Sequence, residues 1–310
     1  MTDVSKAIDV LLEGVVPERV AELKATWGEQ QDRVRLQDGG GFLVHQVYGT
    51  VQVNELALKL IWLIGFTAWR AVDAYAGILW ALQITHQAFD PSALSSLSGQ
   101  SEADAAFDLA MSRVRDLSSS QTIADFEWPA DVPFPSEDVR LRDRREHAIF
   151  DLVCMAGGYI FLHEIRHSQL WRDGLNPEQA VVEETQCDDY AREIMLGKAK
   201  EYAEANGYPE DLVRAKRTIG VLFAKLIILT ITPKKSWSGS DDHPAVKDRI
   251  KGVLRGVSDP VPDWFWSTCA ALLAAFARHY GVIDKPIPFA SNQELAMALC
   301  DKFDAAGAVG

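Results

Sequence analysis

The run Tyr159-Ile160-Phe161-Leu162-His163-Glu164-Ile165-Arg166-His167 places an H-E-x-x-H motif inside an apolar stretch. On a helix, His163 and His167 leave the same face one turn apart, so a single metal ion can take a nitrogen from each. Glu164, next to the first histidine, reaches a water held by that ion. Zinc lowers the pKa of such a water toward neutrality, and a neighbouring carboxylate can then accept its proton as general base. By chance the motif should occur only about 0.01 times in a chain of this length with so few histidines.

A catalytic zinc takes three protein ligands and keeps one position open for water. The acidic run Glu183-Glu184-Thr185-Gln186-Cys187-Asp188-Asp189 supplies candidates. Ala180, Glu184, Cys187, Asp188, Ala191 and Met195 share one helical face. Glu184 is therefore the expected third ligand, and Asp188, one turn on, is placed to hydrogen-bond a ligand imidazole and fix its tautomer. Glu183 is the alternative ligand, reached by a modest rotation of the helix. Cys187 also has the chemistry of a ligand, but a small residue on a packed face reads first as core. His243, in Asp241-Asp242-His243-Pro244, opens a helix and can point into a neighbouring cleft.

The elements that must hold these residues are largely helical. Residues 4–26 read as a helix broken near Pro17. Arg33 to Asp38 and Phe42 to Val53 carry β-branched, partly alternating residues around Gly39-Gly40-Gly41, which predicts a small hairpin or three-strand meander. Asn54 caps a long apolar helix to about Gln83, with Trp62, Trp69 and Trp80 as core. A helix is expected at 102–116. The Pro-rich connection 117–136 is long enough to be a boundary or a lid. From Ser136 through Glu137 and Asp138 the pattern turns helical and leads into the motif, with a bend or close packing at Gly157-Gly158. Asp173-Gly174 ends that helix. Asn176 as N-cap and Pro177 in the first turn start the next, so a tight turn folds it back beside the histidines. Asp242 is expected to cap the helix after His243, and Trp264–Tyr280 and Ser291–Phe303 complete a helical C-terminal third. The fold class is thus mainly α with a small β element near 33–53. The organisation is an N-terminal region 1–116, a connection 117–136 and a catalytic region 137–310, together one compact unit.

Composition narrows the rest. With 310 residues, 48% hydrophobic and 24% charged, the chain reads as an ordinary globular protein. A net charge of −13 argues against nucleic acid or an anionic membrane as partner, since both reward Lys and Arg. Cys154, Cys187, Cys269 and Cys300 form no C-x-x-C pair and read as reduced, mostly buried thiols. The N-terminus lacks the pattern of a signal peptide, and the most apolar runs carry charges or are short, so a cytoplasmic protein without a transmembrane segment is expected.

Three motifs in order carry a resemblance: His163-Glu164-Ile165-Arg166-His167, the E-x-x-x-D from Glu184 to Asp188, and the H-P-x-x-x-x-R-I from His243 to Ile250. Together they resemble zinc peptidases of the gluzincin type, and with chain length and layout they look most like the Lit-type phage-exclusion peptidases. The resemblance covers residues 145–255; before that it rests on layout alone. It implies one zinc per chain, held by His163, His167 and Glu184, with Glu164 as catalytic base. It further implies that His243 approaches the substrate oxyanion and that Arg249 orients His243 or a neighbouring carboxylate. Lit-type proteins cleave elongation factor Tu when a phage-derived peptide is bound to it, which implies that protein substrate and that activator. The alternative is a catalytically silent zinc-fold protein acting through protein–protein contact. Glu164 beside an open metal position speaks for the enzyme.

Overall fold

The computed structural model describes residues 4–28, 34–136 and 139–304. Arg33, Glu137 and Asp138, which the sequence pattern includes in the first strand and in the approach to the motif helix, lie outside the described residues. In chain order the elements are α1 (Val4–Val15), α2 (Val20–Gly28), β1 (Val34–Leu36), β2 (Val44–Val47), β3 (Thr50–Val53), α3 (Glu55–Ile84), α4 (Pro91–Leu94), α5 (Gln100–Ser119), α6 (Arg144–Asp173), α7 (Ala180–Leu196), α8 (Ala199–Asn206), α9 (Glu210–Ile231), α10 (Val246–Arg255), α11 (Trp264–His279) and α12 (Asn292–Lys302). The fold is mainly helical, as the sequence pattern requires. Pro17 opens a single 3₁₀ turn between α1 and α2.

The three strands form one small sheet in the order β1-β3-β2. β2 and β3 make the expected hairpin, closed at Val47–Thr50 by Tyr48-Gly49. β1 does not continue it as a meander. It lies parallel to β3 on the far side, with Val34 opposite Val51, so β2 is left at an edge. Asn54 explains how the sheet is fixed to the helices. Its side-chain oxygen caps α3 by accepting from Ala57 N (2.8 Å), while its amide donates to the carbonyls of Gly39 and Gly41, both at 3.0 Å. One buried residue thereby starts a helix and holds the glycine turn that leads into β2.

The motif helix α6 begins later than the charge pattern suggests. Asp143 caps it, accepting from Glu146 N at 2.9 Å. It continues unbroken through Gly157-Gly158. A Cβ on Gly158 would sit 3.2 Å from the methyls of Val15, so the close packing there is with a side chain of α1 and not with another backbone. Gly174 (φ 66°) ends the helix in the left-handed conformation that glycine adopts without strain. An 18-residue window of α6 is apolar enough to cross a membrane, but 67% of it is buried in the fold, the mark of a core helix. α6 packs on α3, α7 and α9, and α11 packs on α3 and α12.

Two caps differ from expectation. α7 starts at Ala180, with Gln179 rather than Asn176 at the N-cap, and neither Pro177 nor Asn176 belongs to it. α10 starts at Val246 with Ala245 at the N-cap, so Asp242 does not cap it and Pro244 precedes it. Trp62 is core and Trp69 packs against it, but Trp80 faces outward. The segment 117–136 lies along α3: Trp62 Nε1 donates to Pro133 O at 2.8 Å, and Arg70 pairs with Asp131. All four cysteines are free, three of them buried.

Candidate active site

Four helices and one strand converge on a cleft of about 410 Å³. The apolar positions of α6 bury its flanks, and this orients the remaining face, with His163 and His167, toward α7. The turn at 174–179 returns the chain so that α7 brings Glu184 across from both rings. His163 Nε2 and His167 Nε2 stand 3.1 Å apart. Glu184 places Oε2 at 3.4 Å from the first and Oε1 at 3.3 Å from the second. Among the described residues these three form a group able to hold a metal ion, one ligand atom from each lying within 4.8 Å of the others.

The outer nitrogens are engaged from behind. His167 Nδ1 donates to Glu183 Oε1 at 2.7 Å, and Asn176 Nδ2 donates to Glu183 Oε2 at 3.0 Å. Glu183 thus sits on the far side of His167, and Glu184 is the carboxylate that closes the group. His163 Nδ1 lies 3.0 Å from Asp188 Oδ1, at ion-pair distance but out of hydrogen-bond alignment. Asp188 is itself gripped by Arg249, whose Nε and Nη2 donate to its two oxygens at 2.8 and 2.7 Å. Arg249 Nη1 is also 3.3 Å from Glu184. Arg249 therefore orients the two carboxylates of α7. His243 comes in from the loop before α10, largely exposed, with Nδ1 at 3.4 Å from Glu184 Oε1.

Two residues enter this network that motif reading does not find. Lys225, on α9 and 2% exposed, places Nζ 2.8 Å from Asp188 Oδ2 and donates to Tyr159 OH at 2.7 Å. Tyr159, one turn before His163, donates in turn to Asp188 Oδ1 at 3.0 Å. The signal for Lys225 was present as a single cation inside the apolar run Gly220–Thr232, since a fully buried lysine needs a partner. Strand β2 supplies the remaining wall with Val44, His45 and Gln46. The backbone N–H of Gln46 faces the Glu164 carboxylate and favours its charged form.

The electrostatics follow from this packing. Burial pushes the Glu164 carboxyl above its usual range, which suits a base that must also give its proton back. Burial also disfavours the Glu184 carboxylate, yet hydrogen bonds from His163, His167 and His243 hold it far below the ordinary range. Asp188 is likewise held low against its burial by Lys225 and Arg249. Glu184 and hydrogen bonding raise His243. The site binds positive charge strongly, and its donor set of two imidazoles and one carboxylate fits a divalent metal of the zinc type.

A family model described as peptidase U49 matches residues 51–269. The chain belongs to the peptidase U49 family. The match spans more than two thirds of the chain and includes α6, α7, α9 and α10, the four helices that build the cleft. The chain is a peptidase by family, and the strand β2 at the cleft's edge lies before the matched span. Comparison with curated proteins and with solved structures finds no match.

Proposed function

We propose that the protein is a zinc-dependent endopeptidase of the Lit type, acting in the bacterial cytoplasm on elongation factor Tu when a phage-derived peptide is bound to it. The observation that carries the metal-dependent reading is the meeting of His163, His167 and Glu184 at 3.1–3.4 Å, with Glu164, half-buried, next to His163 on α6. These three residues would hold one zinc per chain. When bound there, zinc supplies Lewis acidity, acidifying a water and polarising the scissile carbonyl.

The remaining work belongs to the protein's own groups. Glu164 accepts the water's proton on its carboxylate, the transfer that its raised proton affinity favours, and then delivers it to the leaving amine. His243, protonated more readily than an ordinary histidine because it faces Glu184, donates to the oxyanion that develops on the carbonyl. Glu183 fixes the tautomer of His167, Asp188 sets a negative charge against the outer nitrogen of His163, and Arg249 holds Asp188 and Glu184 in place. The hairpin register turns the backbone groups of Val44 and Gln46 away from β3; the Gln46 N–H faces Glu164, and an extended substrate can add to the edge of β2 through Val44 and the Gln46 carbonyl.

The test is incubation of the purified, zinc-loaded protein with elongation factor Tu, with and without the phage peptide. A single cut made by wild type, absent with Glu164→Gln and abolished by a chelator, is the expected result. Cleavage of other proteins but not of elongation factor Tu would retain the peptidase and remove the Lit-type target. No zinc in the purified protein, even after reconstitution, would remove the metal-dependent mechanism.

A further inference from the structure

At the tip of the β2–β3 hairpin the chain does something costly. Tyr48 adopts φ 50° and Gly49 φ 76°, so both central residues of the two-residue turn lie in the left-handed region. Glycine, asparagine and aspartate take the first of these positions with little strain; a tyrosine does not. The strained side chain is also not used for packing, because Tyr48 is 80% exposed. Its ring meets Trp171 edge to face at 6.5 Å, and Trp171 is itself 45% exposed. Trp171 follows His167 by one turn of α6, on the face that carries the histidines.

The backbone of the turn is tied to its neighbours. Ser168 Oγ, buried on α6, donates to Gly49 O at 2.7 Å. With its amide oxygen turned to the tip, Gln46 accepts from the backbone N–H of Tyr48 at 3.2 Å and from that of Gly49. The same Gln46 lines the cleft with Glu164, its backbone N–H turned to that carboxylate. One residue thus connects the tip to the proposed general base, and β2 runs continuously from the cleft to the two aromatics. Strain retained at a fixed, solvent-facing position beside a cleft is the pattern of a residue kept for binding.

We propose that Tyr48 and Trp171 form an aromatic clamp that selects the substrate, an extended peptide segment carrying a large apolar or aromatic side chain just beyond the His167 end of the cleft. The inference rests on the peptidase reading above. A peptide strand paired to the open edge of β2 points alternate side chains toward α6, and the one that passes the hairpin tip lands on the two rings. Exposed aromatics that are already fixed lose little conformational freedom on binding such a side chain.

The test uses zinc-loaded Glu164→Gln protein, which binds without cutting, and a randomised synthetic peptide library. Peptides retained by this protein should be enriched in Phe, Tyr, Trp or Leu at one position. Adding Trp171→Ala should reduce that enrichment roughly tenfold. Adding Tyr48→Asn should do the same while raising the melting temperature, since asparagine relieves the turn; a residue that only shaped the hairpin would not lose binding as it gained stability. Equal enrichment in the variants, or no peptide retained at all, overturns the clamp. Peptides that are retained in this way yet left uncut by wild type would uphold the clamp and count against hydrolysis alone.

Discussion

Two buried polar networks in this protein use the same residue types and arrive at different ends. One surrounds His163 and His167. The other joins α3, α5 and α11, where Tyr75 OH donates to Asp104 at 2.6 Å, Arg278 donates to both oxygens of Asp108 at 2.7 and 2.9 Å, and His279 Nδ1 lies 2.6 Å from Asp108. Both contain histidine, aspartate and arginine in ion-pair contact. The distal network sets two carboxylates, Asp104 and Asp108, against Arg278 and His279, and none of the four lines the cleft that holds His163 and His167. The cleft network sets four carboxylates, Glu164, Glu183, Glu184 and Asp188, against Arg249 and Lys225, whose pKa burial lowers to about 7, so an excess of at least two carboxylates is left for the imidazoles to balance. Two protons can balance them, and so can one divalent ion. A histidine–carboxylate contact is therefore not by itself a site. An excess of acid facing a cleft is what makes one.

The sharpest way to break this comparison is to remove one carboxylate from each network. Glu164→Gln should lower turnover by about a hundred- to ten-thousandfold while zinc content, measured by elemental analysis, stays at wild-type level. Substituting Asp108 by Asn should leave turnover unchanged. Comparable loss from both would mean that the two networks do not differ in kind. Next in size, Glu184→Ala should abolish zinc binding, whereas Glu183→Ala should weaken it by about 10- to 100-fold, the usual cost of losing a group that orients a ligand. Zinc lost with Glu183 and kept without Glu184 would exchange their roles.

On the distal side, Arg278→Ala strands Asp104 and Asp108. The expected loss is about 2 kcal/mol of stability in denaturant unfolding, less than for a fully buried pair because the Asp108 side chain is half-exposed. Zinc content should not change. A smaller and more graded difference comes from pH. Burial opposes charge on His167, but its hydrogen bonds to Cys187 and Glu184 outweigh this and push its pKa from 6.5 up to about 11. The folded state therefore favours the protonated ring. In protein stripped of metal that stabilisation is complete below pH 6.5 and is lost progressively as pH rises toward 11. The melting temperature of the stripped protein should accordingly fall across this window. Zinc should reverse the trend, because it displaces those protons and binds more tightly as they leave. A stripped protein indifferent to pH over this range would show that the carboxylates do not hold the imidazoles as described.

The comparison also explains what was legible in the sequence. His163, Glu164 and His167 are local to one helix, so their spacing fixes their geometry. Glu184 and Asp188 follow behind one turn, and helical periodicity assigns their face. Lys225, Tyr159 and Gln46 enter from α9, from the helix turn before the motif and from β2, and no local pattern relates a lone lysine in an apolar run to an aspartate on another helix. The same limit produced the two misplaced caps. Asn176 has the chemistry of an N-cap, but its amide is committed to Glu183. Asp242 sits in a turn organised by Ser240, whose hydroxyl accepts the N–H of Asp242 and of His243 at 3.2 and 3.1 Å. The sheet order was hidden for a related reason: alternation marks strands without saying which neighbours pair, and β1 joins β3 across an intervening hairpin.

The turn around His243 gives the smallest expected effect and the finest distinction. Trp237, fully buried, anchors the loop by donating Nε1 to Thr232 O at 2.9 Å and accepting at its carbonyl from Val246 N at 2.9 Å. Between these anchors Gly239 adopts φ 86°, and a Cβ there would come within 2.8 Å of Ala245 N and 2.9 Å of His243 O. Both contacts are backbone, so no side chain can swing away to relieve them. Gly239→Ala should therefore shift the segment that carries His243 while leaving His163, His167 and Glu184, on α6 and α7, where they are. Stability should fall by about 1 kcal/mol, since the loop is exposed and has room to yield. If His243 serves the oxyanion, turnover should fall with zinc content and substrate affinity unchanged. A fall in zinc content instead would mean that His243 acts through its 3.4 Å contact with Glu184, as support for a ligand rather than as a donor to substrate.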